Sequence, residues 1–179
     1  AKTSARNAFQ SAAKMKFDPV ISEEAEFNYA KLSYELNFQS AAIEAFNAFL
    51  KDHPQSVYVD QVNEMLVGLY TNSRNYKDAL TALESVKNKT QSLRTAFQRV
   101  AYYRGVELYM DNKSEEAITL FTTSLQYPLD QSLVALETYW KGEAQYKLTN
   151  YDAVMKSYND FQMTPAAVKM KTYNLVNYN

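Results

Sequence analysis

Four small or branched residues, Ala42, Ala79, Ala117 and Val154, stand 37, 38 and 37 positions apart, and this period constrains the fold more than any other feature of the chain. Each belongs to a similar stretch: "NFQSAAIEAFNAF" from Asn37, "NYKDALTALESV" from Asn75, "NKSEEAITLF" from Asn112 and "NYDAVMKSYNDF" from Asn150. A second position recurs upstream at the same intervals, held by Ala30, Val67 (followed by Gly68), Gly105 and Gly142. Around both positions apolar residues return every three or four places, as in Phe27, Ala30 and Tyr34 or in Ala42, Ile43, Phe46, Phe49 and Leu50. That is the stripe of an amphipathic helix, so each unit is expected to hold two helices. Only 3 Gly and 4 Pro in 179 residues leave such helices uninterrupted.

The turns within the units carry Asn37, Asn75, Asn112 and Asn150, and Asn tolerates the left-handed conformation that ends a helix. Ser22, Ser56 and Ser114 are placed to cap new helices, and Thr164 before Pro165 reads as a cap followed by a first-turn proline. The small residues let two helices approach, with a large aromatic filling the space beside them. One such hairpin cannot bury both its apolar faces, whereas stacked copies share a core.

The pattern resembles tetratricopeptide repeats (TPR), in which a small residue of the first helix is followed by Ala-x3-Phe and Pro in the second. Ala42 with Phe46, Ala79 with Leu83, Ala117 with Phe121 and Val154 with Tyr158 carry the likeness, and Pro54, Pro128 and Pro165 close three of the four units. The period exceeds the usual one, the second unit lacks its proline, and Tyr34, Tyr109 and Tyr146 lie four rather than three residues after the small position. Only Tyr70, measured from Val67, keeps the family's spacing. The resemblance implies an all-α, right-handed superhelical solenoid of antiparallel helix hairpins. Its expected parts are a second helix of a truncated repeat over 1–19, repeats over 22–54, 56–90, 91–128 and 130–163, and the first helix of another truncated repeat over 165–179. The chain then reads as an excerpt of a longer array, and exposed apolar residues such as Tyr173, Leu175 and Val176 would favour self-association. The segment "AFNAFLKDHPQSVYVDQV" is similar to bacterial cell-envelope members of the family, such as the lipoprotein of the outer-membrane assembly machinery. That likeness implies a periplasmic or envelope location and a role in docking other proteins.

Chemistry is sparse. A formal net charge of −1 without a basic run lacks the electrostatic footprint of a nucleic-acid binder. No apolar run approaches the roughly 20 residues that span a bilayer. The absence of cysteine excludes disulfides and thiolate chemistry. The one histidine, His53, lies in an inter-repeat turn and reads as a surface residue, while Glu23, Glu24, Glu115 and Glu116 sit in first helical turns, where they complement the helix dipole. No phosphate-cradling loop, nucleophile elbow or metal-ligand spacing occurs, so neither catalysis, a metal nor a cofactor is expected.

What remains is a surface. Tyrosines, 15 in all, concentrate on the first helices. Phe27, Tyr102 and Tyr139 occupy one repeat position, Tyr34, Tyr109 and Tyr146 another seven residues on, with Tyr70 in the second unit; Tyr103 and Trp140 form a second stripe one residue round. Two readings stand open: both stripes are core, or Phe27, Tyr34, Tyr70, Tyr102, Tyr109, Tyr139 and Tyr146 line a groove for a peptide or partner protein. The inward positions Lys31, Gly68, Val106 and Glu143 do not match the Lys/Asn clamp by which some TPR proteins hold chaperone tails. Glycan binding by exposed rings, or an accessory segment of a larger enzyme, are the alternatives from other classes.

Overall fold

A computed structural model describes residues 1–15, 18–87 and 89–177, the side chain of residue 177 excepted. Among the described residues the chain is all-helical, with no strand. It divides into two compact units, Ala1–Asn88 and Lys89–Asn179.

The first unit holds α1 (Lys2–Met15), α2 (Pro19–Glu35), α3 (Gln39–Asp52), α4 (Val59–Asn72) and α5 (Tyr76–Ser85). Consecutive helices pack on one another. Its core is aromatic at one end, where the Phe27 ring stacks on Tyr58 at 4.1 Å and lies 5.9 Å from Phe49. Arg6 fastens α1 to α2, donating from Nε to the Ser33 hydroxyl at 2.8 Å while its guanidinium lies over the rings of Tyr29 and Phe38. The second unit holds α6 (Gln91–Met110), α7 (Ser114–Ser124), α8 (Gln131–Lys147) and α9 (Tyr151–Met163), followed by 3₁₀ turns over Ala167–Lys169 and Lys171–Asn177. Here α8 packs on α6, α7 and α9.

The helix pairs α2/α3, α4/α5, α6/α7 and α8/α9 turn in one way. A residue with positive φ ends each first helix: Asn37 (63°), Arg74 (59°), Asn112 (60°) and Thr149 (58°), spaced 37, 38 and 37 residues apart. The next amide in each case donates back five residues, from Phe38 to Ser33, Asn75 to Tyr70, Lys113 to Leu108 and Asn150 to Gln145, at 2.8–3.1 Å. This is the Schellman closure, and it satisfies carbonyls that a helix end leaves bare. The expectation for the asparagines therefore holds for Asn37 and Asn112. Asn75 and Asn150 fall one residue later, where their side chains accept from the backbone N–H of Asp78 and Ala153 and so cap the second helix instead.

Other ends differ from the sequence expectation. Pro19, where the expected second helix of the truncated repeat ends, opens α2 instead, because its fixed φ suits a first turn and Asp18 accepts from the amides of Val20 and Ile21. Asp130 caps α8 in the same way. Ser22 lies buried inside α2, Ser114 is the first residue of α7, and Ser56 accepts from Tyr58 N in the turn before α4. Thr164 ends α9 instead of starting a helix, its N–H donating to Phe161 O. Beyond it the expected α-helix over 165–179 is replaced by the two 3₁₀ turns as far as residue 177; 178 and 179 lie outside the described residues. Extended backbone at Met170 separates them and lets the segment fold back, burying Ala167 and Val176 against Tyr139, Val154, Tyr158 and Phe161. Of the three apolar residues expected to be exposed there, only Leu175 is; Tyr173 is half-buried and Val176 buried.

Candidate binding face

The expected groove residues separate by burial. Phe27, Tyr70 and Tyr139 are core: 4%, 8% and 8% exposed, they present no face to a partner. Phe27 is held between Tyr58 and Phe49, Tyr139 packs on Trp140, Tyr158 and Phe161, and the Tyr70 hydroxyl accepts from Asn47 Nδ2 at 2.8 Å. The cause is local packing: Phe27 meets Phe49 and Tyr139 meets Tyr158 and Phe161 on the second helix of the same hairpin, and apolar area there is worth more inside than out, whereas Tyr102 at the equivalent position stays half-buried.

Tyr34, Tyr102, Tyr109 and Tyr146 keep exposed surface. In the first unit Tyr34 lies on α2 with its ring 6.4 Å from Phe46 and its hydroxyl beside Gly68 of α4, where a glycine leaves room. In the second unit Tyr102 and Tyr109 bracket Trp140, which projects from α8. Tyr109 meets the indole edge to face at 5.1 Å, and Tyr102 shares a hydrogen bond with it. Tyr103 packs edge-on against Tyr102 at 5.1 Å and keeps 42% of its surface exposed. Lys147 closes the far side, its Nζ 3.7 Å from the Tyr109 ring centroid and donating to Tyr109 O and Asn112 Oδ1. The face of α6 and α8 is thus a partly exposed aromatic surface with a cation at one edge. Its rings do both jobs that the sequence left open: they pack one first helix on the next and still offer edges outward.

Burial raises the phenol pKa of Tyr102 and of Tyr109, so both remain neutral hydrogen-bonding groups at any physiological pH. For Tyr139, burial and then the nearby Glu143 carboxylate push the value up to about 12. Glu143 accepts from the Tyr158 hydroxyl at 2.5 Å.

Tyr146 leaves this face. Its ring pairs with Tyr151 of α9 at 6.0 Å and 70°, beside a cavity of about 620 Å³ whose lining includes Tyr151, Val154, Met155, Asn159 and Val176. Tyr151, Met155 and Asn159 escaped sequence reading because they sit on the outer side of a second helix, where the repeat asks for no residue type.

Two ionisable sites lie apart from the aromatic face. His53 is only partly exposed, with Nε2 2.9 Å from Glu26 Oε2 and Nδ1 3.8 Å from Glu23 Oε2, and its ring 5.0 Å from Phe49. It is a packed turn residue rather than a free surface one. Glu137 of α8 is fully buried. Ser124 Oγ donates to its Oε1 at 2.6 Å, while Oε2 has no hydrogen-bond partner among the described residues. Gln98 stands in the same region, its side chain exchanging hydrogen bonds with the backbone of Asp130. Burial drives the Glu137 carboxyl up to about 7, against the opposing effects of the Ser124 hydrogen bond and the neighbouring Gln98 amide. Among the described residues, no three His, Asp or Glu side chains gather as a metal site. No helix of the described residues is long and apolar enough to cross a membrane. Comparison with family models, with curated proteins and with solved structures gave no match.

Proposed function

We propose that this chain is a TPR-like, right-handed solenoid of helix hairpins acting as a non-catalytic scaffold, which binds a peptide or partner protein in an aromatic-lined concave groove. The observation that carries the proposal is the α6/α8 face. Tyr102, Tyr103 and Tyr109 gather around Trp140, half-covered and held by neighbouring rings. Rigid amphipathic rings offer contact area and a hydrogen bond at small entropic cost, as binding surfaces require. The fourfold turn geometry supports the repeat reading, since hairpins closed alike present equivalent helix faces. In the first unit, taken by itself, Tyr34 is the groove candidate that keeps an exposed ring. Phe27, Tyr70 and Tyr139 are buried and, with the half-buried Tyr58 that stacks on Phe27, belong to the packing that holds these faces. A bacterial envelope location extends the proposal on the strength of residues 45–62 alone.

A photo-crosslinking amino acid placed at Tyr103 tests this, with one at the exposed Thr119 of α7 as the control. The scaffold reading expects a discrete protein adduct from position 103 in cells, and binding of the purified adduct protein that Tyr103→Ala weakens. Equal labelling from both positions, or none, would overturn it.

A further inference from the structure

The cavity beside Tyr146 is built differently from the α6/α8 face, and its chemistry can be read from its walls. It lies between the end of α8, the outer side of α9 and Val176, and encloses about 620 Å³, within the range of small-molecule sites. Tyr146 and Tyr151 stand at 70° to one another with 49% and 59% of their surfaces exposed, so two π-faces form a corner. Val154, Met155 and Val176 supply apolar floor, and Asn159 offers a carboxamide with both donors and an acceptor.

None of the lining side chains carries a charge at neutral pH. An ionic ligand would lose hydration there without a counter-charge, which is costly. A pure hydrocarbon would cover phenol hydroxyls and the Asn159 amide without satisfying them. The matching ligand has flat C–H faces for the rings and neutral hydroxyls for the amide and phenols. We propose that this cavity binds a short, uncharged saccharide, one sugar ring resting on Tyr151, the more exposed of the two rings, and its hydroxyls hydrogen-bonded to Asn159. An extended peptide matches less well, because it would run past a bounded pocket and use little of it. This site is separate from the α6/α8 face, and either can fail without the other.

The test is calorimetric titration of the whole chain with maltotriose, cellotriose and chitotriose, with a trigalacturonate as the charged comparison and a proline-rich peptide as the competing class. Saturable binding of a neutral trisaccharide is expected, weakened roughly tenfold or more by Tyr151→Ala, a loss equal to about one good contact. Asn159→Ala should weaken it too. Both positions are exposed, so the variants should keep the parent's helical circular dichroism and melting temperature. No neutral saccharide binding at about 10 mM would overturn the proposal, that being the weak end of specific recognition. So would sugar binding that Tyr151→Ala leaves intact, preference for the trigalacturonate, or binding of the peptide alone. Photo-crosslinking from Tyr103 reads the other face and is indifferent to all of these.

Discussion

A Cβ built on Gly142 of α8 would lie 2.6 Å from Cε1 of Tyr158 on α9, closer than real Cβ atoms come to anything. Gly105 and Phe121 repeat the relation in α6 and α7, at 2.4 Å. Where the first-helix position is larger, as at Val67, the second-helix partner position holds the smaller Leu83. Volume is thus traded across the hairpin, as a close-packed interior demands.

Gly105→Ala is therefore expected to destabilise the second unit by about 2 kcal/mol, since Phe121 is fully buried and cannot retreat, and the overpacking outweighs the roughly 1 kcal/mol gained in helix propensity. Gly68→Ala should do the reverse. Its added Cβ would meet only the Tyr34 hydroxyl, at an ordinary 3.7 Å, leaving a gain of about 0.5–1 kcal/mol. Urea melts of the two variants check the opposite signs.

The pH dependence of stability should bear the mark of Glu137. Its carboxyl is raised from 4.5 to about 7 in the folded chain, so between those values the folded state binds the proton more tightly than the unfolded state. The contribution is present in full below about pH 4.5 and lost as pH rises through 7, about 3 kcal/mol in all. Glu137→Gln should flatten that part of the profile and be more stable than the parent at pH 8. Urea midpoints measured from pH 5 to 8 report both.

Tyr139→Ala should cost about 3–5 kcal/mol, because a buried ring packed on Trp140, Tyr158 and Phe161 leaves a cavity when removed. Tyr34→Ala, at a ring 38% exposed, should cost about 1 kcal/mol or less. Thermal unfolding of the pair separates core from surface among residues that the sequence puts forward together as groove candidates.

Thr149 holds φ at 58°, where a β-branched side chain is strained and glycine is not. Thr149→Gly is expected to raise stability by about 1 kcal/mol, whereas Asn112→Gly should change it little, Asn being at ease there. Differential scanning calorimetry of both variants gives the comparison.

Much of this helical pattern is legible in the amino-acid sequence. The period, the helix content and the placing of small against large residues follow from Ala42, Ala79, Ala117, Val154 and their upstream partners, because a helix shows its buried face every three or four residues. The turns were legible to within one residue. Asn75 and Asn150 were misplaced because asparagine serves equally as a left-handed terminator and as an N-cap, and composition does not say which. Asp18, the true cap of α2, lies four residues before the Ser22 that the sequence favours, and Asp130 caps α8, for which the sequence singles out no cap.

The surface was legible less well. Tyrosine suits a core and a binding face alike, so the stripes could be located from the chain but not divided. Burial made the division, sending Phe27, Tyr70 and Tyr139 inward, leaving Tyr102 and Tyr109 around Trp140, and turning Tyr146 toward Tyr151. By itself, then, the sequence determined which residues are equivalent and that hairpins of helices would form, since periodicity is a local property of the backbone. Only tertiary packing decided how equivalent residues differ: where the chain after Thr164 folds back, which carboxyl is buried, and which rings reach water. Those outcomes depend on what lies opposite each side chain, which neighbours in the chain do not specify.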